Sequence, residues 1–159
     1  MKHLPKHLRP KWRYLAVHIE TWPDVDMDRG SFQRALWYAA QNLLGDPGSA
    51  DADCTVIRFE YAGSVGEAVV RVRRGEVESA RAALACVSDV GGAPVRIAVQ
   101  GCSGTIRASE EKYLNGPPEI RAEKPVAFEG EKRSAVRRND VADVRIDDGF
   151  AGATKIDLE

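Results

Sequence analysis

Hydrophobic positions in the first hundred residues follow two different periods, which predicts a mixed α+β domain. Over residues 12–20 every second position is apolar, and Leu15, Val17 and Ile19 share one face, the pattern of a half-buried strand. Helical spacing of apolar residues follows over 29–44. Further strand-like segments lie at 54–61, 68–73 and 95–99, with a second helical segment at 76–88.

The order of these segments is βαββαβ, which predicts a ferredoxin-like two-layer sandwich with an antiparallel sheet. Glycines at 63–66 are typical of a hairpin turn between the second and third strands, and the composition of 46–53 indicates a loop. Because both helices pack on one side of such a sheet, its other face is expected to be open.

The remaining residues flank this core. A short helical segment is expected at 109–114 before Asn115-Gly-Pro-Pro118 interrupts regular structure. High charge and weak apolar periodicity then predict a C-terminal extension that is flexible or ordered only on binding. We therefore expect a basic arm at 1–11, a folded domain at 12–116 and the extension at 117–159.

Composition narrows the class of protein. The net charge is −1 and hydrophobic residues make up 43% of the 159 residues, so overall charge does not indicate a nucleic-acid binder. The three cysteines are too far apart for a disulfide framework or a CxxC metal site. No segment has the length and apolarity of a signal peptide or a membrane span, so a cytoplasmic protein without membrane contact is expected.

Positive charge is nevertheless expected on the open sheet face. Alternation places Tyr14, His18 and several arginines there. The arginines are Arg58, Arg71, Arg73 and Arg96. Arginines beside an aromatic residue can bind RNA through phosphate contacts and base stacking. The alternative is that they form only the solvated side of an amphipathic sheet.

Protein catalysis and metal binding have little support in the sequence. His3 and His7 are separated by Pro5 and lack a third ligand, and the aspartates in 46–53 lack the spacing of a calcium loop. No nucleophile and base form a recognisable triad. Gly101-Cys-Ser-Gly-Thr105 can direct backbone amides toward a phosphate or form only a tight turn.

Three segments resemble the Pop-five family of archaeal ribonuclease P proteins. The first is the basic entry to the first strand, Leu8-Arg-Pro-Lys-Trp-Arg-Tyr-Leu-Ala16. The second is the helix Val77-Glu-Ser-Ala-Arg-Ala-Ala-Leu-Ala85, and the third is Ser103-Gly-Thr-Ile-Arg107, the most specific of the three. Their order and spacing also match, and the resemblance covers about residues 8–114.

The resemblance implies a subunit of ribonuclease P, the ribonucleoprotein that removes the 5′ leader from precursor tRNA. The RNA would perform the Mg²⁺-dependent hydrolysis, so the chain itself would carry no active site, metal or cofactor. Expected partners are ribonuclease P RNA, precursor tRNA indirectly, protein component 3 and the other subunits, with self-association possible within a heterotetramer. The residues expected to contact RNA are Lys11, Arg13, Tyr14, Arg71, Arg73, Arg96, Ser103, Gly104, Thr105 and Arg107.

Trp37 and Tyr38 lie off the main apolar stripe of the first helix, so we expect them to contact a protein partner. Two other functions are compatible with the same topology. A small-molecule-sensing regulatory module would have a closed ligand pocket. An acylphosphatase-like hydrolase would have an arginine in a phosphate-binding loop beside a catalytic asparagine, a pair that neither glycine-rich loop supplies.

Overall fold

The computed structural model describes residues 3–114, 123–138, 141–147 and 149–158. A 3-10 turn at Lys6–Leu8 comes before the core. The core strands are β1 (Trp12–Thr21), β2 (Thr55–Ala62), β3 (Val65–Arg73), β4 (Asp89–Val90) and β5 (Ala93–Ser103), and the helices are α1 (Arg29–Ala52), α2 (Val77–Ala85) and α3 (Ile106–Tyr113). The predicted boundary at 116/117 lies outside the described residues.

The core strands form one antiparallel sheet in the order β2-β3-β1-β5-β4. Leu15, Val17 and Ile19 of β1 are fully buried on the face that carries α1 and α2, together with Phe32 and Leu84. This confirms the α+β class, and the strand order is consistent with a ferredoxin-like sandwich. The short β4 and the helix α3 are additions to the predicted βαββαβ order.

Helix α1 is longer than the sequence indicated. It bends at Gly45, whose φ of 72° leaves the helical region, and then continues to Ala52. Pro47 is tolerated because it lies at the start of the second segment, where a backbone N–H has no helical partner. The prediction of a loop over 46–53 was therefore wrong. Its glycine, proline and serine residues lie in the second helical segment, which begins after the bend at Gly45.

The second face of the core sheet is not open along its whole length, which corrects the expectation. Helix α3 packs across its centre, where Ala16 and Val69 are fully buried. The Tyr113 ring lies against Gly101, where any β-carbon would collide with it. At the outer strand, Glu110 of α3 forms an ion pair with Arg58 at 2.5 Å.

The C-terminal extension contains a second antiparallel sheet. Its strands are β6 (Glu123–Phe128), β7 (Glu131–Arg138), β8 (Val141–Ile146) and β9 (Gly149–Ala153), in chain order. The sequence predicted an extension that is flexible or ordered only on binding, and it predicted none of these four strands. Small apolar residues alternate with the charged ones, and Ala135, Ala142, Val144 and Ala153 form a minor core. Alanines carry little apolar surface, so their period of two is easily missed.

A buried ion network joins the second sheet to the core. Asp143 of β8 is 1% exposed and Arg138 of β7 is 7% exposed, and Arg138 Nε donates to Asp143 over 2.7 Å. Arg96 of β5 donates to Asp143 over 2.6 Å and to Glu20 over 2.8 Å. Arg138 also donates to the backbone oxygen of Thr21 over 2.6 Å. The four charges balance, so the buried contact has no net charge.

Replacing Asp143 with Asn should destabilise the attachment of the second sheet by about 3 kcal/mol or more, because two arginines lose their shared carboxylate in a buried setting. Hydrogen exchange of β7 and β8 and urea unfolding would measure the effect. Glu131→Gln is the control, since its partner Arg133 forms an exposed pair worth at most about 1 kcal/mol. Equal unfolding midpoints for both variants would contradict the buried network.

Stability should also fall in acid because of Glu20. Burial alone raises the pKa of this carboxyl, but the hydrogen bond with His18 and the charges of Arg138 and Arg96 outweigh burial and lower the pKa from 4.5 to about 2. A lowered folded-state pKa contributes stability that is complete above pH 4.5 and is lost as the pH falls toward 2. Chemical unfolding between pH 6 and 2 should show this loss, and Glu20→Gln should flatten that part of the profile.

Candidate nucleic-acid interface

Most of the predicted RNA contacts meet at one end of the core sheet. Tyr14 of β1 pairs with Arg71 of β3 on one side and with Ser103 of β5 on the other. Directly opposed residues in antiparallel strands point to the same face, so these three form a row across the sheet. Arg73 and Trp12 pair in the row nearer the edge. This face is the one that also carries α3.

Trp12 holds the two arginines of this surface in place. The guanidinium carbon of Arg71 lies 4.1 Å from the centre of a Trp12 ring, and that of Arg73 lies 5.7 Å from it. Stacking on an aromatic face orients a guanidinium while leaving donors available at its rim. Arg73 also lies 3.7 Å from Asp53, but the two side chains are 48% and 41% exposed, so this ion pair is weak.

The sequence interpretation missed the role of Trp12. It used this residue only as part of the family's basic entry to the first strand. The available signal was alternation, because position 12 shares the face of Tyr14 at the end of β1. The partner of Trp12 on β3 could not be assigned without the strand register.

The turn from β5 into α3 completes the surface. Thr105 is the N-cap of α3, and its side-chain oxygen accepts a hydrogen bond from the Ala108 amide over 3.1 Å. The Arg13 guanidinium lies beside Gly104, 3.9 Å from the position of an added β-carbon. Arg107 is exposed and donates to Glu111 one turn later over 2.7 Å. Lys11 is exposed immediately before β1.

Arg96 does not belong to this cluster. It lies opposite Glu20, toward the other end of β1, where it binds Asp143 and contacts the Phe150 ring of the second sheet. The sequence interpretation placed it on the correct face of the sheet. It did not anticipate the contact, because no strands were predicted in the C-terminal extension.

The predicted protein-binding residues lie on the outer surface of α1, which packs on the other face of the core sheet. Trp37 is 48% exposed and Tyr38 is 66% exposed. The indole Nε1 of Trp37 donates to the Cys54 carbonyl over 3.0 Å, which fixes the ring. Tyr38 lies between two open grooves of about 590 and 610 Å³, and Arg34 also lines both. Large exposed apolar side chains beside grooves are typical of a protein interface.

Other kinds of site find no support among the residues that the structure describes. No three histidine, cysteine or acidic side chains there converge as metal ligands. The three cysteines are unpaired, and burial together with Asp53 raises the pKa of the Cys54 thiol to about 11, which suppresses its nucleophilic form. Within the same residues, no helix has both the length and the apolarity needed to cross a membrane.

Comparisons with known proteins identify relatives along the whole chain. The model of the Rpp14/Pop5 family matches residues 13–114. A protein of Halorubrum lacusprofundi named ribonuclease P protein component 2 is 57% identical over 159 residues, covering 100% of both chains. The protein of the same name from Natronomonas pharaonis is 57% identical over 158 residues, covering 99% of this chain and 98% of the relative.

A more distant relative shows how far the shared core extends. Ribonuclease P protein component 2 of Thermococcus gammatolerans is 35% identical over 113 residues, which is 91% of that chain but 71% of this one. Since the family model ends at residue 114, the second sheet lies beyond it. The basic end of the core sheet lies almost entirely within the matched region.

Proposed function

The chain belongs to the Rpp14/Pop5 family and is a protein subunit of ribonuclease P, and we propose that it supports the catalytic RNA of this ribonucleoprotein through the basic end of its core sheet. The holoenzyme is an endoribonuclease that removes the 5′ leader from precursor tRNA. In this proposal the RNA carries the active site and the Mg²⁺, and the isolated chain does not cleave. A cytoplasmic location remains a prediction.

The observation that carries this proposal is the pair of arginines stacked on Trp12. The Trp12 ring orients both guanidinium groups, and neither forms a buried ion pair with a residue that the structure describes. N–H groups at the rim of each guanidinium therefore remain available to donate to phosphate oxygens. Lys11 and Arg13 add positive charge at the same end of the sheet. Phosphate contacts of this kind position an RNA without reading its sequence, which suits a subunit that supports a catalytic RNA.

A net charge of −1 is compatible with this role because the charges are segregated. Asp143 of the second sheet and Glu20 of β1 together neutralise Arg96, so that end of the face presents a balanced network. The Trp12 end keeps its positive charge. Electrostatic attraction of RNA depends on such a local field more than on the total charge.

The α1 surface is the proposed contact for protein component 3. It lies on the other side of the sheet from Trp12, so RNA and a protein partner can bind at the same time. Other subunits, a second copy of the chain within a heterotetramer, and precursor tRNA held through the RNA complete the proposed set of partners. Trp37 and Tyr38 supply the large apolar area that protein interfaces favour.

The test of the function is cleavage of precursor tRNA by the cognate ribonuclease P RNA and the remaining protein subunits, with the chain added or omitted. Addition should raise cleavage at the mature 5′ end or lower the Mg²⁺ requirement. The double variant Arg71→Glu/Arg73→Glu should lose most of this effect and bind the RNA at least about tenfold more weakly.

Lys132→Glu/Arg133→Glu is the matched control, because it makes the same change in charge on the second sheet. It should retain stimulation of cleavage. An unchanged cleavage rate on adding the wild-type chain would contradict the function. Equal losses in both double variants would contradict the site, because net charge rather than position would then govern binding.

A second prediction concerns the protein partner. Tyr38→Glu should weaken binding to protein component 3 by about tenfold or more, since a carboxylate would have to be desolvated in the interface. Isothermal titration with the purified partner would measure it. Ile156→Glu is the control, because Ile156 is an exposed apolar residue beyond the second sheet. Equal affinities of Tyr38→Glu and wild type would exclude the α1 surface.

A further inference from the structure

Two polar atoms in the row across the core sheet are buried without a hydrogen-bond partner. They are Oγ of Ser103 and Nε of Arg71, which lie on either side of Tyr14. Ser103 is 9% exposed. An unpaired buried polar group costs stability, and such groups are uncommon in native proteins unless a ligand or another function uses them. Both atoms here are hydrogen-bond donors.

Ser103 lies two residues before Thr105, the N-cap of α3. Its register with Tyr14 places its side chain on the sheet face that carries this helix. The Ser109 hydroxyl of α3 donates to the Tyr14 carbonyl over 3.4 Å, which fixes the first turn of α3 beside the same row. The unpaired hydroxyl therefore lies next to the helix N-terminus.

The N-cap leaves two backbone amides at this N-terminus without a hydrogen-bond partner inside the helix. Thr105 satisfies the amides of Ala108 and Ser109, through its side chain and its carbonyl respectively. The amides of Ile106 and Arg107 precede the first intrahelical hydrogen bond and have no partner within the helix. They lie at the positive end of the helix dipole, where an anion is favoured.

Gly104, which has no side chain, leaves the N-terminus of α3 accessible. Its φ is outside the left-handed range, so its backbone does not require glycine. The only contact that an added β-carbon would make within 4 Å is the Arg13 guanidinium at 3.9 Å. Packing therefore does not require glycine either. A residue without a side chain also allows close approach of a ligand to the backbone.

We propose that Ser103, Gly104, the first amides of α3 and Arg13 form a seat for a single backbone phosphate of RNA. This inference rests on the proposed function and deepens it. The Ser103 hydroxyl and the free amides donate to the phosphate oxygens, and Arg13 turns from the Trp12 carbonyl that it now contacts over 3.1 Å. Arg71 and Arg73 continue the positive surface along the strand ends. The acids at its edges, Glu111 and Asp53, are paired with Arg107 and Arg73.

The seat makes an unusual prediction for Ser103→Ala. Removing an unpaired buried hydroxyl should leave the melting temperature unchanged or raise it, while binding to the cognate ribonuclease P RNA weakens about tenfold because a hydrogen bond to a charged group is lost. Ser64→Ala is the matched control. Ser64 is also fully buried with an unpaired hydroxyl, but it lies in the β2–β3 turn at the other end of β3. This variant should bind RNA like wild type.

Two further variants test the other parts. Arg13→Gln should reduce the slope of log affinity against log salt by about 1, the change expected for one lost phosphate contact. Gly104→Ala should weaken RNA binding without loss of melting temperature, because the backbone accepts alanine but the methyl group occupies the approach.

The outcomes separate the seat from the wider surface. If Ser103→Ala and Gly104→Ala bind RNA like wild type while Arg71→Glu/Arg73→Glu does not, the RNA surface stands and the seat is overturned. If Ser103→Ala lowers the melting temperature together with the affinity, Ser103 is structural and the seat is again overturned. If all these variants bind like wild type, the proposed RNA surface itself fails.

Discussion

The central strand β1 is the constraint on which the rest of the molecule depends, because both of its faces must be covered or used. Leu15, Val17 and Ile19 of this strand are buried beneath α1 and α2. Its even-numbered residues divide the second face into three zones. Trp12 and Tyr14 lie with the arginines, Ala16 lies beneath α3, and Glu20 binds the second sheet. Residues of this one strand therefore contribute to the protein core, to the proposed RNA surface and to the attachment of the extension.

The charges on this face obey the same division. At the Glu20 end, a buried Arg138 and a partly exposed Arg96 are neutralised by Asp143 and Glu20, and such a network fixes geometry more than it adds stability. At the Trp12 end, arginines rest on an aromatic ring in partial contact with solvent. Arginines on the same sheet face therefore have different roles. Those paired with buried carboxylates hold the second sheet, and those stacked on Trp12 keep donors free.

The features that could be predicted from the sequence are those whose pattern lies within one segment of the chain. The alternation of β1 and the helical stripe of α2 are contained in single segments, so these elements and the α+β class followed from the sequence. Ser103, Gly104 and Arg107 came from a short motif that resembles a family. The neutralisation of Arg96 was not predictable, since Asp143 is distant in sequence and lies in a segment whose alanines give a weak apolar pattern.

Gly45 and the covered sheet face show a second kind of limit. Glycine and proline near position 45 indicate a break in the chain direction, but only tertiary contacts decide that a helix resumes and buries Ala52. Likewise, the segment at 109–114 was expected to be helical, but nothing within it shows that Tyr113 would lie against Gly101. Packing of a helix on a sheet depends on the fit between their surfaces, and this fit cannot be derived from the pattern of a single segment.

The contact between Tyr113 and Gly101 has a consequence for how the chain can vary in length. Helix α3 is held at its last residue by this ring and near its first turn by the hydrogen bond from Ser109 to Tyr14. A helix turns by about 100° per residue, so inserting or deleting one residue between these two anchors would rotate one of them away from the sheet. The number of residues from Ser109 to Tyr113 is therefore fixed by the two contacts. The chain there should accept substitutions far more readily than insertions or deletions.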